Sequence, residues 1–209
     1  MTAPIQAALD LLGQSFPDGT AEKLGILIDE LDRWNRKVNL TAIRDRGEMI
    51  TSHLLDSLVA APLLRGKTVL DVGTGPGFPG LPLAIVEPER QFTLLDSNNK
   101  KIMFAQHAAG LLGLGNVAAT KARGEDYAPG HGFDTVIARA LAALPRLVEI
   151  AGHHVGEDGV FVALKGRYPA EELEQLEQLE TPWCYAVTEL NVPGLQKGSR
   201  HAVLLRRRA

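Results

Sequence analysis

The sequence predicts an α/β domain in which a helical N-terminal extension precedes a mostly parallel, doubly wound sheet. Three observations predict it. Residues 1–64 read as helical. From Lys67 onward, short strand-like runs alternate with helical ones. The first of those strands ends in Gly73-Thr74-Gly75-Pro76-Gly77-Phe78-Pro79-Gly80, four glycines in eight residues.

In the extension, Ile5 to Leu12 is a short apolar-rich segment. Thr20 opens a helix in which Leu24, Leu27, Ile28, Leu31 and Trp34 share one face. Asp45 and Glu48 form a capping pair before a helix from Met49 to Leu64, with Pro62 disfavouring its last turn. Strands then follow at Lys67–Val72, Gln91–Leu95, Asn116–Lys121, Phe133–Ala138 and Val160–Leu164. Helices fall at Pro79–Val86, at Asn99–Leu112 with Gly113 closing it, and at Leu144–His154. Strand alternating with helix means parallel pairing with helices on both faces. An acidic helix, Glu171–Glu180, precedes two closing strands, Tyr185–Val192 and Ala202–Arg206. Their short connector makes them antiparallel, so seven strands are expected, the last antiparallel. One domain is expected over 1–209, with the extension at 1–64 and the core at 65–209.

A chain of 209 residues, 45% hydrophobic and 22% charged, suffices for one well-packed core. No apolar run approaches the ~20 residues of a membrane span, and Met1 to Gln6 has no signal-peptide character. A cytoplasmic protein without membrane contact is therefore expected. The lone Cys184 excludes an internal disulfide and a cysteine-based metal cluster. A net charge of −3 does not announce a nucleic-acid binder. Basic residues nevertheless cluster early (Arg33, Arg36, Lys37, Arg44, Arg46) and late (Lys197, Arg200, Arg206, Arg207, Arg208).

The glycine turn points to a nucleotide-like cofactor approaching bare backbone. A dinucleotide fingerprint fits poorly. Started at Gly73, its third glycine falls on Phe78; started at Gly75, it leaves Asp71 and Gly73 within the strand. No Gly-Lys-Ser/Thr follows, which excludes a P-loop. S-adenosylmethionine fits better. It carries no pyrophosphate, and its ammonium suits a carboxylate such as Asp71 at the strand end. Asp96, with Ser97 beside it, ends the next strand, where a carboxylate accepts from both ribose hydroxyls. Gly73, Gly75 and Gly77 form the turn, with Phe78 packing near the adenine. Gly124 and Glu125 follow the third strand, where backbone reaches the same ring.

Several ordered segments then resemble a known family: Trp34-Asn35-Arg36-Lys37-Val38-Asn39-Leu40-Thr41, His53-Leu54-Leu55-Asp56-Ser57-Leu58, Asp71 to Gly80, Leu95 to Lys101, Arg123-Gly124-Glu125, Ile137-Ala138-Arg139-Ala140 and Lys165-Gly166. They are similar to the bacterial small-subunit rRNA guanine-N7 methyltransferases, the glucose-inhibited division protein B family. The resemblance implies a Rossmann-like class I S-adenosylmethionine-dependent methyltransferase fold. It implies methyl transfer from S-adenosylmethionine, with S-adenosylhomocysteine as product, to N7 of the guanine numbered 527 in 16S rRNA. The rRNA would be met within the small ribosomal subunit or an assembly intermediate. The family often has alanine where this chain has Gly124, both small residues.

The chemistry agrees. Guanine N7 carries a lone pair and no proton, so its methylation needs alignment and no general base. Arg139 ends the fourth strand on the edge that holds Asp71 and Asp96, and suits either the cofactor carboxylate or guanine O6; the resemblance favours the cofactor. The plain alternative is an ion pair with a neighbour such as Asp134. Lys165 ends the fifth strand and suits RNA phosphate or the base, against a solvated lysine. Arg139 and Lys165 are thus the expected catalytic residues, acting by placement. Arg123 would orient the adenine loop, Arg200 would reach RNA, and Lys100 or Lys101 would meet phosphate. Asn39 and His53 belong to the matching segments of the extension; for His53 an RNA contact and a structural role stand level. His53 and Asp56 lack a third ligand, so no metal is expected. There is no Asn/Asp-Pro-Pro-Tyr/Phe motif for amino-group methylation, and Cys184 lies in no motif for C5 chemistry. A methyltransferase of a small molecule or protein, and a nicotinamide-binding protein, remain as other readings. No exposed apolar seam stands out, so a monomer is expected.

Overall fold

Helix α1 (Ala3–Asp10) and the longer α2 (Thr20–Val38) begin the chain in a computed structural model that describes residues 3–179, 181–195 and 198–208. α2 buries the expected face: Leu24, Leu27, Ile28 and Leu31 are fully enclosed. Trp34, on the same side, meets Phe104 edge-on with ring centroids 5.6 Å apart. His107 and Glu30 lie 2.8 Å apart across the same seam. The extension is therefore packed into the core.

The single helix expected from Met49 to Leu64 is a correction. Asp45 does cap a short α3 (Arg46–Met49), its Oδ1 accepting from Glu48 N–H at 2.8 Å. The chain then widens into a π-helical turn, Ile50–Leu55, returns to α4 (Asp56–Leu58), and closes in a 3-10 turn, Ala61–Leu63, that contains Pro62. Periodicity alone does not distinguish these windings.

Seven strands form one sheet: β1 (Thr68–Val72), β2 (Gln91–Asp96), β3 (Val117–Lys121), β4 (Phe133–Arg139), β5 (Val155–Lys165), β6 (Trp183–Glu189) and β7 (His201–Arg207). Their order is β3-β2-β1-β4-β5-β7-β6. β1 to β5 pair in parallel and β7 is antiparallel to both its neighbours, as expected. Alternate residues feed two cores. Val69, Phe92, Leu94, Ile137 and Val162 face α2, α5 (Gly80–Val86) and α6 (Asn99–Leu111). Leu70, Val136, Ala138 and Phe161 face α7 (Leu144–Ala151) and α8 (Ala170–Gln178). Chain order reverses beside β1, between β2 and β4, so ligands of such sheets bind above its carboxyl end.

Boundaries differ most in three places. β5 begins five residues early, because Gly132, Gly156 and Gly159 let β4 and β5 approach more closely than a side chain allows: a Cβ on Gly132 would lie 2.6 Å from Gly156 Cα. α7 stops at Ala151 and tightens into a 3-10 turn, Gly152–His154. β6 runs Trp183–Glu189, starting two residues early at a buried Trp183 and ending three residues short of the expected Val192. Glu180, expected to end α8, and Lys197 of the late basic cluster lie outside the described residues. Among the described residues no helix is long and apolar enough to cross a membrane.

Phe104→Ala should cost about 3–5 kcal/mol in urea denaturation, since it removes a fully buried ring from the seam between α2 and α6. A loss below about 1 kcal/mol would show that the extension does not depend on that seam.

Candidate active site

The glycine turn is braced from below by Asp71. This carboxylate is fully buried at the end of β1. Its Oδ2 accepts from Thr74 Oγ1 at 2.6 Å and from Gly80 N–H at 2.8 Å. Its Oδ1 is buried without a partner. Burial pushes the Asp71 pKa up to about 6, against the lowering effect of those two hydrogen bonds. The bare backbone is needed here: a Cβ on Gly77, at φ +95°, would lie 2.3 Å from Leu81 Cδ1. Gly75 differs. No atom lies within 4 Å of its missing Cβ, and it lines an open cleft.

Asp96 closes the turn from β2. Its Oδ2 accepts from Gly75 N–H at 2.9 Å and its Oδ1 from Asn98 N–H at 2.7 Å. Ser97 beside it is exposed. After β3, Gly124 packs under α7. A Cβ there would lie 2.6 Å from Ile150 Cγ2 and 3.0 Å from Val72 Cγ1, so alanine would require α7 to shift. Its carbonyl accepts from His154 Nε2–H at 2.8 Å. Burial lowers the His154 pKa, which keeps this ring neutral. Glu125 pairs with Arg146 at 2.6 Å in a turn, and Arg123 is exposed.

The cleft has a volume of about 620 Å³ and lies between this turn and the extension. Gly73, Gly75 and Phe78 form one wall; Thr41, Ser52, His53 and Asp56 form the other; Arg139, Lys165 and Arg200 close its side. Arg139 does pair with an acid, and the acid is Asp56. Nη1 donates to Asp56 Oδ2 at 2.6 Å and to Ser52 O at 3.3 Å. Asp134, the neighbour considered from sequence, sits at the opposite end of β4 and accepts from Lys67 and Thr68 N–H. Arg200 Nε donates to the other oxygen of Asp56 at 2.6 Å. Lys165 is not solvated. Its side chain is 11% exposed and donates to Glu172 Oε2 at 2.7 Å and Ala142 O at 2.8 Å. Ala140, next to Arg139, holds φ +52°, a strained value for alanine of the kind that gathers at functional sites.

His53 stacks on Phe78 with ring centroids 5.0 Å apart, and its Nε2 lies 3.1 Å from Thr41 Oγ1. Its Nδ1 is buried without a partner. Burial, then the charge of Arg139, lowers its pKa to about 4, with Asp56 opposing. At neutral pH the ring is uncharged.

The other expected residues fall elsewhere. Asn39 ends α2 at φ +49° and accepts from Arg44 Nη2 at 2.6 Å, the work of a helix cap. Lys100 points to solvent, and Lys101 lines the cleft in its place. Asp71, Gly77, Asp96, Ser97, Arg123, Gly124 and Glu125 do not line it; of the expected cofactor residues, Gly73, Gly75, Phe78 and Arg139 do. The residue missed by sequence reasoning is Asp56. It stood within a matching segment but was weighed only as a metal partner of His53; its carboxylate is taken up by two guanidiniums.

Residues 20–203 match the family described as GidB, rRNA small subunit methyltransferase G. The chain belongs to that family. The family resemblance read from the motifs therefore holds. The "Ribosomal RNA small subunit methyltransferase G" of Aeromonas salmonicida is 48% identical over 190 residues, 90% of this chain and 89% of the relative. That of Actinobacillus succinogenes is 45% identical over 202 residues, 97% and 94% of the two chains. Among solved structures, a putative O-methyltransferase from Klebsiella pneumoniae superposes with TM-score 0.62 at 14% identity, covering 99% of this chain and 97% of the other. A ribosomal protein L11 methylase from Lactobacillus delbrueckii subsp. bulgaricus gives 0.56 at 22% identity, covering 74% and 77%. These likenesses show the class I methyltransferase fold.

The two shifted groups oppose each other in pH. His53, lowered from 6.5 to about 4, contributes stability that is present above pH 6.5 and lost as pH falls through 4. Asp71, raised from 3.8 to about 6, contributes stability that is present below pH 3.8 and lost as pH rises through 6. Between about pH 4 and 6 the slopes cancel. Asp71→Asn should remove one of them, so that the variant loses stability on acidification more steeply than the wild type in urea midpoints. Parallel curves would show that Asp71 does not titrate in this window.

Proposed function

We propose that this chain methylates 16S rRNA of the small ribosomal subunit, moving the methyl group of S-adenosylmethionine to N7 of the guanine numbered 527. The observation that carries the reading is the bond from Gly75 N–H to Asp96, which sets a strand-end carboxylate against an open glycine turn in the cleft that holds Arg139 and Arg200. Membership of the family and the names of its close relatives support the rRNA substrate.

The residues present fit the cofactor. Each carboxylate oxygen of Asp96 uses one lone pair on a backbone N–H and keeps another for a ribose hydroxyl. The unpartnered Oδ1 of Asp71 leaves negative charge uncompensated beneath the turn, which favours an ammonium nearby. Gly124 would present backbone to the adenine. When bound, S-adenosylmethionine supplies a methyl group on a sulfonium, an electrophile that needs only an aligned lone pair.

The chain's task is placement. Arg139 has Nε and Nη2 left for a carboxylate or for guanine O6 once Nη1 is committed to Asp56 and Ser52. Lys165 keeps one ammonium hydrogen beyond those given to Glu172 and Ala142, enough for a phosphate or base oxygen. Neutral His53 cannot protonate N7, whose lone pair must stay free. Structured RNA is recognised largely by shape and local contacts, which suits a chain of negative net charge and makes the small subunit or an assembly intermediate the natural partner.

Asp96→Ala should weaken S-adenosylmethionine binding in calorimetry. It removes two charge-assisted hydrogen bonds, each worth about 1.5–3 kcal/mol; unchanged affinity in a folded variant would show that the turn serves something else. For the reaction, isotope-labelled S-adenosylmethionine should place label in N7-methylguanosine at one site of unmodified small subunits or their deproteinised rRNA, read by nucleoside mass spectrometry. Cofactor binding with no labelled rRNA on either substrate would overturn the assignment.

A further inference from the structure

Asp56 lies where three distant stretches of chain meet: the π-helical turn, the end of β4 and the start of β7. It is 6% exposed, and each of its oxygens takes one guanidinium, Arg139 on Oδ2 and Arg200 on Oδ1, both at 2.6 Å. The winding of the turn contributes. Asp56 N–H bonds to Thr51 O, five residues back. In an α-helix it would bond to Ser52 O, four back. Ser52 O accepts from Arg139 instead. The wide turn thus supplies both a carboxylate and a carbonyl to one guanidinium. Arg200 is confined as well. Its Nη1 donates to Ser199 O at 3.1 Å and lies 3.9 and 3.8 Å from where Cβ atoms would stand on Gly166 and Gly198.

We infer that Asp56 is a positioning residue for methyl transfer: by holding Arg139 and Arg200 side by side on the cleft wall, it aims their remaining N–H donors at the RNA substrate. The inference rests on the rRNA reading above. Two guanidiniums and one carboxylate leave the cluster with one net positive charge, enough to attract phosphate. A buried ion pair of this kind is poor evidence for added stability, because desolvation offsets the attraction. What it supplies here is geometry. Without Asp56 the two cations repel each other, so Arg139 loses its place while the cleft gains positive charge.

That opposition of charge and geometry gives the test. Asp56→Asn is compared with the wild type and with Asp56→Glu, using single-turnover transfer to small subunits, subunit affinity by filter binding at two salt concentrations, and melting temperature. The expected result is a transfer rate reduced roughly 10- to 100-fold, the scale of a misplaced reacting group, with subunit affinity unchanged or tighter because the cleft is more positive. Asp56→Glu keeps the charge and should recover part of the rate. A rate in Asp56→Asn within about twofold of wild type would overturn the inference, given how steeply transfer depends on placement. So would rate, affinity and melting temperature falling together in both variants, or neither variant folding, since each marks a merely structural residue. If the wild type labels no rRNA, the parent reading fails and this one with it; if the wild type labels and Asp56→Asn labels as fast, only the positioning role fails.

Discussion

A carboxylate with no access to solvent fixes the geometry of the glycine turn at the carboxyl edge of the sheet. Asp71 ends β1 inside the core, and its Oδ2 draws the Thr74 hydroxyl and the Gly80 amide onto a single point. Those two bonds span the glycine turn, so the turn cannot shift while Asp71 stays buried without leaving its charge unpartnered, which is costly. Gly75 N–H is then held towards Asp96, tying the ends of β1 and β2 together. Gly80 begins α5, all of whose residues are buried between the sheet and the extension. One oxygen thereby sets the turn, the start of a helix and the position of a second carboxylate.

The extension completes the site. A third of the residues lining the cleft come from residues 40–56, and these are placed by α2 docking on α6 through Trp34 and Phe104. His53 then rests on Phe78 from the glycine turn, and Asp56 reaches Arg139 at the end of β4. Core and extension meet through side chains that line the cleft, so a shift of the extension moves both its aromatic and its ionic contacts.

Much of this was legible in the sequence because the signals were local. Four glycines after an apolar run, with Asp96 at the next strand end, are readable from spacing, and the alternating runs implied the parallel pairing that places Arg139 and Lys165 on one edge. Asp56 was not legible, because its partners lie 83 and 144 residues away and nothing local requires them. The π-helical turn escaped for a related reason: nothing local in Ile50–Leu55 distinguishes a wide winding from an α-helical one, and the Ser52 carbonyl it frees is taken by Arg139, 87 residues away. Lys100 and Lys101 are adjacent and chemically identical, so only the helix phase separates the solvent-facing one from the cleft-facing one.

Pairing also limits the excess charge of the cleft. Arg139 and Arg200 share Asp56, and Lys165 is matched by Glu172. Each cation keeps donors to spare, so the cleft can grip an anion or a carbonyl while carrying little excess charge. A cleft of unmatched cations would bind any phosphate backbone, and binding of that kind carries no information about which base is presented. One of these cations, Arg139, also acts on His53. Burial first, and then the charge of Arg139, hold its imidazole in the neutral form across the physiological range. The positive charge of the cleft is therefore carried by arginines already committed to Asp56 and not by the histidine.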